Sequence, residues 1–180
     1  VRTFLAGGFS GFLRTDEDHA ILSLSPERFL KIHRGTVTSQ PIKGTAPRHS
    51  DPEQDAALAK ALLNSEKDRA ENVMITDLLR NDLGQFCETG SVRVTELCGL
   101  HSFNNVHHLI STVEGKLAPG VSAGQMLLAT SPGGSITGAP KKRAVEIIAE
   151  LEPVPRGAYC GSLFILGGED WLQSSIAIRT

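Results

Sequence analysis

The pattern of hydrophobic and polar positions divides the chain into a strand-rich first part, a helical middle and a mixed final part. Ala20-Ile21-Leu22-Ser23-Leu24 and Phe29-Leu30-Lys31-Ile32-His33 are short apolar runs that predict two strands. Arg34-Gly35 turns the second into a third, Thr36-Val37-Thr38, which makes an antiparallel meander. Asp51-Pro52 opens a helix expected to run through Leu63, with alanine and leucine at helical spacing, and Asn64-Ser65 breaks it. Ser65-Glu66-Lys67-Asp68 has the pattern of a capping box. A second helix is therefore expected to about Asp82, with Val73, Ile75, Leu78 and Leu79 as apolar positions and Asp68 in a structural role. Ser91 to Leu97 and Val106 to Val113 read as further strands, separated by an irregular stretch at 101–105. A short helix near Ala123 to Ala129 leads into the glycine-rich Ser131 to Gly138. The next helix begins at Ala139-Pro140, with proline at its tolerated first-turn position. Ala158 to Leu166 and Trp171 to Ile178 predict a hairpin joined near Gly167-Gly168.

Composition narrows the class. A chain of 180 residues that is 40% hydrophobic can bury one sizeable core, so residues 1–180 are expected to belong to a single domain. A net charge of −2, with no block of like charge, gives no reason to expect nucleic acid as a partner and favours a small ligand. Cys87, Cys98 and Cys160 lack CxxC or metal-ligand spacing, which points to buried free thiols in a reducing cytosol and to no zinc site. No apolar run is long enough to span a bilayer, and Val1-Arg2-Thr3-Phe4 shows neither an initiator methionine nor a signal-peptide pattern. A cytoplasmic, truncated chain is expected.

The candidate chemistry centres on Pro41-Ile42-Lys43-Gly44-Thr45, where one amine lies between two residues that fix the backbone. Upstream, Ser25-Pro26-Glu27-Arg28-Phe29 offers a carboxylic acid that an adjacent strand would bring to the same cavity. Glu27 and Lys43 are then either an acid with a nucleophile or a solvated cross-strand pair of little energetic weight. The loop Ser131-Pro132-Gly133-Gly134-Ser135-Ile136-Thr137-Gly138 precedes a helix and lacks P-loop spacing; it either binds an anion or serves only as a tight turn. Arg179 caps an exposed edge or offers a bidentate fork to a carboxylate. Of His107 and His108, adjacent on a strand, one must face inward, as a core residue or as a catalyst. Glu71 is a surface glutamate or an oxygen ligand for a hard cation such as Mg²⁺.

Taken together, S-P-E-R-F at 25–29, P-I-K-G-T at 41–45, Glu71-Asn72 with Asp77 to Asp82, His108-Leu109, G-S-I-T-G-A-P-K at 134–141 and I-A-I-R-T at 176–180 resemble the chorismate-utilising enzymes. That family includes the anthranilate, isochorismate, salicylate and aminodeoxychorismate synthases, and the resemblance covers essentially the whole chain. A lysine in P-I-K-G-T is similar to the aminodeoxychorismate-forming branch, whereas anthranilate synthases typically carry alanine there. The resemblance implies an α+β fold, with antiparallel β-sheets packed at the core and helices flanking them, here incomplete at both ends. It implies that Glu27 is the general acid for departure of the C4 hydroxyl of chorismate, that Lys43 is the nucleophile at C2, and that His108 lies close to the ring. Gly44, Thr45, Ser135, Tyr159 and Arg179 would bind substrate, and Glu71 would bind Mg²⁺. Ammonia would come from a glutamine amidotransferase partner subunit, giving 4-amino-4-deoxychorismate for p-aminobenzoate and folate. The alternatives are an anthranilate-forming or isochorismate-forming relative, or a non-catalytic chorismate-binding fragment.

The chemistry makes two demands. A lysine with a reference pKa of about 10.4 is only ~0.1% neutral near pH 7.5, so the site must lower it. A glutamic acid with a reference pKa of about 4.3 must be raised to donate a proton. The family also implies a second glutamate ligand beyond Thr180, so these 180 residues alone are expected to be inactive.

Overall fold

The structure is a computed structural model that describes residues 8–168 and 170–180, so Val1 to Phe4 lie outside the described residues. Within them the order is β1 (Phe9–Arg14), β2 (Ala20–Ser25), β3 (Arg28–His33), β4 (Thr36–Gln40), β5 (Ile42–Pro47), α1 (Pro52–Leu63), α2 (Glu66–Gly84), β6 (Arg93–Ser102), β7 (Val106–Lys116), α3 (Ala123–Thr130), a 3-10 turn (Gly134–Ile136), α4 (Lys141–Leu151), β8 (Ser162–Leu166) and β9 (Trp171–Ile176). Every strand pairing is antiparallel. β1 and β2 form a separate hairpin, and the other seven strands make one sheet in the order β5-β7-β4-β3-β9-β8, with β6 also on β7. The fold is α+β.

β7 serves three neighbours because it is long. β6 pairs along one edge, while β4 pairs with Val113–Lys116 and β5 with Val106–Ile110 along the other. Pro41 divides β4 from β5. It has no N–H to give the ladder, but its carbonyl accepts from the Ser111 amide at 3.2 Å, so the chain stays on β7 while changing direction.

One face of the sheet carries the main core. Leu30 and Ile32 of β3, Val37 of β4, Val113 of β7 and Leu172 and Ile176 of β9 pack with Ile75, Leu79 and Leu83 of α2 and Met126 and Leu127 of α3. Each such side chain, fully buried, contributes about 1.5–3 kcal/mol. A smaller cluster, Ala46, Leu62 and Leu109, joins α1 to β5 and β7.

The helices start where their caps are. Asp51 accepts from the Glu53 and Gln54 amides, and Ser65 accepts from the Asp68 amide while its hydroxyl donates to the Asp68 carboxylate. Asp68 is thus structural, as expected. The inward stripe of α2 is only partly the expected one. Ile75 and Leu79 are buried, Leu78 is half-buried, and Val73 is exposed. The stripe runs instead through polar Asn72 and Thr76. Asn72 Nδ2 donates to the Leu109 carbonyl at 3.1 Å, the Ser111 hydroxyl donates to its Oδ1, and Thr76 donates to its carbonyl. A search for apolar positions passes over buried residues held this way.

Several boundaries also move. β6 continues through His101 and Ser102, because His101 and Ser102 pair with His108 and His107; the irregular stretch shrinks to the turn between β6 and β7. The helix after the glycine-rich loop starts at Lys141, with Pro140 as its cap. β8 is shorter than expected, and β9 stops at Ile176 because the Ile178 amide turns back to the Ile176 carbonyl. Cys87 and Cys98 are buried, but Cys160 is half-exposed and lines a cleft. No helix among the described residues is long and apolar enough to cross a membrane.

Candidate active site

Gly44 splits the P-I-K-G-T stretch between two cavities. It has a φ of +89°, where a side chain is strained, and a Cβ there would lie 2.9 Å from Asp68 Cβ. The pairing of β5 with β7 shifts register across it. Lys43, before the kink, lines a cleft of about 810 Å³ together with Glu27, Ser135, Tyr159 and Arg179. Thr45, after it, lines a larger cavity of about 1320 Å³ with His108, Arg28 and Arg179. Ile42, Ile178 and Arg179 border both, so the two spaces share one wall.

Glu27 is not on a strand, contrary to expectation. It occupies the break between β2 and β3 that Pro26 creates, its amide donating to Ser25 Oγ at 3.1 Å and its carbonyl accepting from the Ile176 amide. Only 5% of it is exposed, so it is not a solvated surface carboxylate. Burial raises its pKa to about 7, against the opposing pull of the Ser135 hydroxyl and, less strongly, of the Lys43 charge. Lys43 Nζ donates to the Ser135 carbonyl at 3.3 Å. The glycine-rich loop thus touches the amine with its main chain and the acid with its side chain.

The two histidines divide as strand alternation requires. His107 is buried, with Nε2 3.1 Å from Asp55 and Nδ1 2.8 Å from Ser102 Oγ, and it ties α1 to the β6–β7 turn. His108 faces the larger cavity, its Nδ1 2.8 Å from Thr45 Oγ1. Burial lowers its pKa; the Gly44 backbone opposes this and the Arg179 charge adds to it. Arg179 is exposed just beyond β9, and its carbonyl accepts from the Leu24 amide, docking this segment on the β1–β2 hairpin. Tyr159 is half-exposed on the cleft wall.

Glu71 lies on α2, half-exposed, beside the buried Asn72, and among the described residues its only ion pair is a loose one to Lys67 at 3.8 Å. It lines neither cavity. Among the described residues no three His, Cys, Asp or Glu side chains converge on one point. Magnesium keeps several waters and is usually held by one or two carboxylates; Glu71, outside both cavities, offers one carboxylate held only loosely by Lys67.

Two features escape a motif reading. Glu152 and Arg156 form a close pair on the cleft wall, legible only as an acid and a base four residues apart with prolines between them. Arg28 lines the larger cavity with its guanidinium 5.3 Å from the centre of the Phe9 ring and, among the described residues, its Nε has no hydrogen-bond partner.

A buried acid and an amine thus meet over a glycine-rich loop on an antiparallel sheet backed by helices. The family of chorismate binding enzymes matches residues 5–180, and the chain belongs to it. It is 56% identical over 172 residues to aminodeoxychorismate synthase component 1 of Klebsiella aerogenes, covering 96% of this chain and 38% of that protein. The Escherichia coli K12 protein of the same name is 52% identical over the same shares. Anthranilate synthase component I from Streptococcus pneumoniae TIGR4 superposes with a TM-score of 0.87 at 39% identity, over 99% of this chain and 39% of that one. The chain therefore spans under two fifths of the length of these relatives.

Proposed function

We propose that this chain carries the amination site of an aminodeoxychorismate synthase component 1, converting chorismate and ammonia to 4-amino-4-deoxychorismate and water. The observation that carries the reading is the convergence of Lys43 and Glu27 on Ser135, with Glu27 buried and its pKa near 7. A carboxyl held there keeps much of its proton at neutral pH and can release it to a leaving hydroxyl. In the first substitution the neutral Lys43 amine adds at C2, both ring double bonds shift, the C4 hydroxyl leaves as water with the Glu27 proton, and the proton lost by the amine returns to the Glu27 carboxylate. In the second, ammonia adds at C4, both double bonds shift back, and Lys43 departs from C2 as an amine, taking up a proton while the new C4 amine gives one up. Two such steps return the ring to its original pattern.

The other residues have roles that suit a dianion. Arg179 and Thr45 would bind substrate carboxylates, Ser135 and Tyr159 would donate hydrogen bonds, and Gly44, packed against Asp68 and Leu62 and lining neither cavity, would act by aiming its two neighbours. His108, its pKa lowered by burial, opens on the neighbouring cavity and would reach the ring only where the two spaces meet at Ile42, Ile178 and Arg179. Glu71 would hold Mg²⁺, which supplies charge neutralisation at the ring carboxylate. A glutamine amidotransferase partner would supply ammonia. The reading is tested by incubating the intact enzyme with chorismate and Mg²⁺ but no ammonia, then mapping modified peptides by mass spectrometry. An adduct on Lys43 is expected. Its absence in enzyme that turns over once ammonia is added would remove Lys43 from the nucleophile role. Lys43→Ala should lose the 4-amino product, leaving any residual product aminated at C2, as expected of an anthranilate-type reaction.

A further inference from the structure

The cleft that holds Lys43 is also lined by Glu152 to Arg156, Tyr159 and Cys160, from a segment between α4 and β8 that belongs to no regular element. Within this segment Arg156 grips Glu152. Its Nε lies 3.0 and 2.8 Å from the two carboxylate oxygens, and Nη2 lies 2.5 Å from one of them. The remaining arm of the fork leaves the pair, as Nη1 donates to the Ile136 carbonyl at 3.1 Å. The preceding carbonyl, that of Ser135, is the one that accepts from Lys43. Two consecutive carbonyls of the glycine-rich loop thus receive two cations, one from β5 and one from the 152–160 segment.

An ion pair as exposed as Glu152 and Arg156 contributes little by itself. The third bond changes its meaning, because it fixes the fork relative to the main chain beside Ser135. A lysine, with one nitrogen, cannot hold Glu152 bidentately and reach Ile136 as well. Glu152 also occupies the Arg156 charge, which leaves Lys43 and Arg179, among the described residues lining the cleft, as cations without a carboxylate partner.

We propose that Arg156 is a positioning residue: with Glu152 it fastens the 152–160 segment onto the glycine-rich loop and so holds Ser135 where it restrains Lys43 and shields Glu27 from water. The inference rests on the amination reading of this cleft. In the intact enzyme supplied with chorismate and ammonium chloride, Arg156→Met should lower kcat about a hundredfold, the scale of a misplacement near 1 Å, with a much smaller change in the KM for chorismate. Arg156→Lys should restore part of the loss. The Glu27 pKa, followed by infrared carboxyl absorbance, should fall toward the ordinary glutamate range in Arg156→Met, and amide exchange over residues 133–137 should quicken. A folded Arg156→Met with unchanged kcat and unchanged Glu27 titration would overturn the positioning role. Should that variant not fold, Arg156→Lys decides, and wild-type kcat and titration there would overturn it equally. A wild-type enzyme that makes no 4-amino product overturns the amination reading itself.

Discussion

Replacing Glu27 by glutamine should stabilise the protein at alkaline pH, even though it removes the proposed acid. Burial sets the Glu27 pKa at about 7, against 4.5 for an unperturbed glutamate. At about 1.4 kcal/mol per pH unit across that interval, ionising Glu27 in the folded protein costs on the order of 3 kcal/mol. The direction follows from where the protons are. Below pH 4.5 the carboxyl is protonated in both folded and unfolded chains, and no penalty exists. Between there and about 7 the unfolded chain has lost a proton that the folded one keeps, so stability falls as pH rises, and above 7 the loss is complete. Glutamine has no proton to lose and nearly the same shape. Urea denaturation of wild type and Glu27→Gln at about pH 5 and about pH 8 should therefore show the variant gaining on wild type by up to roughly 3 kcal/mol at the higher pH. Parallel pH trends in the two proteins would refute the assignment of a buried, proton-retaining carboxyl.

Gly44→Ala should cost roughly 1–3 kcal/mol in urea denaturation, because the new methyl group would meet Asp68 and Leu62 at a backbone angle that side chains avoid. The same substitution should slow adduct formation at Lys43, and an unaffected rate would show that the kink does not aim the amine. Glu71→Gln keeps the shape but removes the charge, so it should shift the Mg²⁺ activation curve to higher concentration while changing stability by no more than about 0.5 kcal/mol. An unchanged curve would return Glu71 to the helix surface with Lys67.

Much of the local structure was legible because its signals are local. The first strands follow short apolar runs, α1 starts at the Asp51 that caps it, and α2 starts at Ser65. The recurrence of the chorismate-family motifs was equally readable. What sequence reading missed depends on tertiary partners. Val73 looks like core until Asn72 and Thr76 are seen to occupy the inward face, held by Leu109 and Ser111. Glu27 is expected on a strand but sits in the break between β2 and β3, and its burial comes from tertiary neighbours that the sequence does not show. Arg156 carried no motif at all, because its importance lies in a carbonyl on another loop.

The kink at Gly44 also bears on how such a protein can change over evolutionary time. Position 43 opens on one cavity, whereas Thr45 and His108 open on the other, and only Ile42, Ile178 and Arg179 are common property. A mutation at codon 43 can therefore exchange the reactive group without disturbing Thr45 and His108, which lie across the shared wall. If Lys43 is the nucleophile proposed above, divergence of product within a lineage then needs one amino-acid replacement and no refolding. Selection can try new reactions on an inherited substrate.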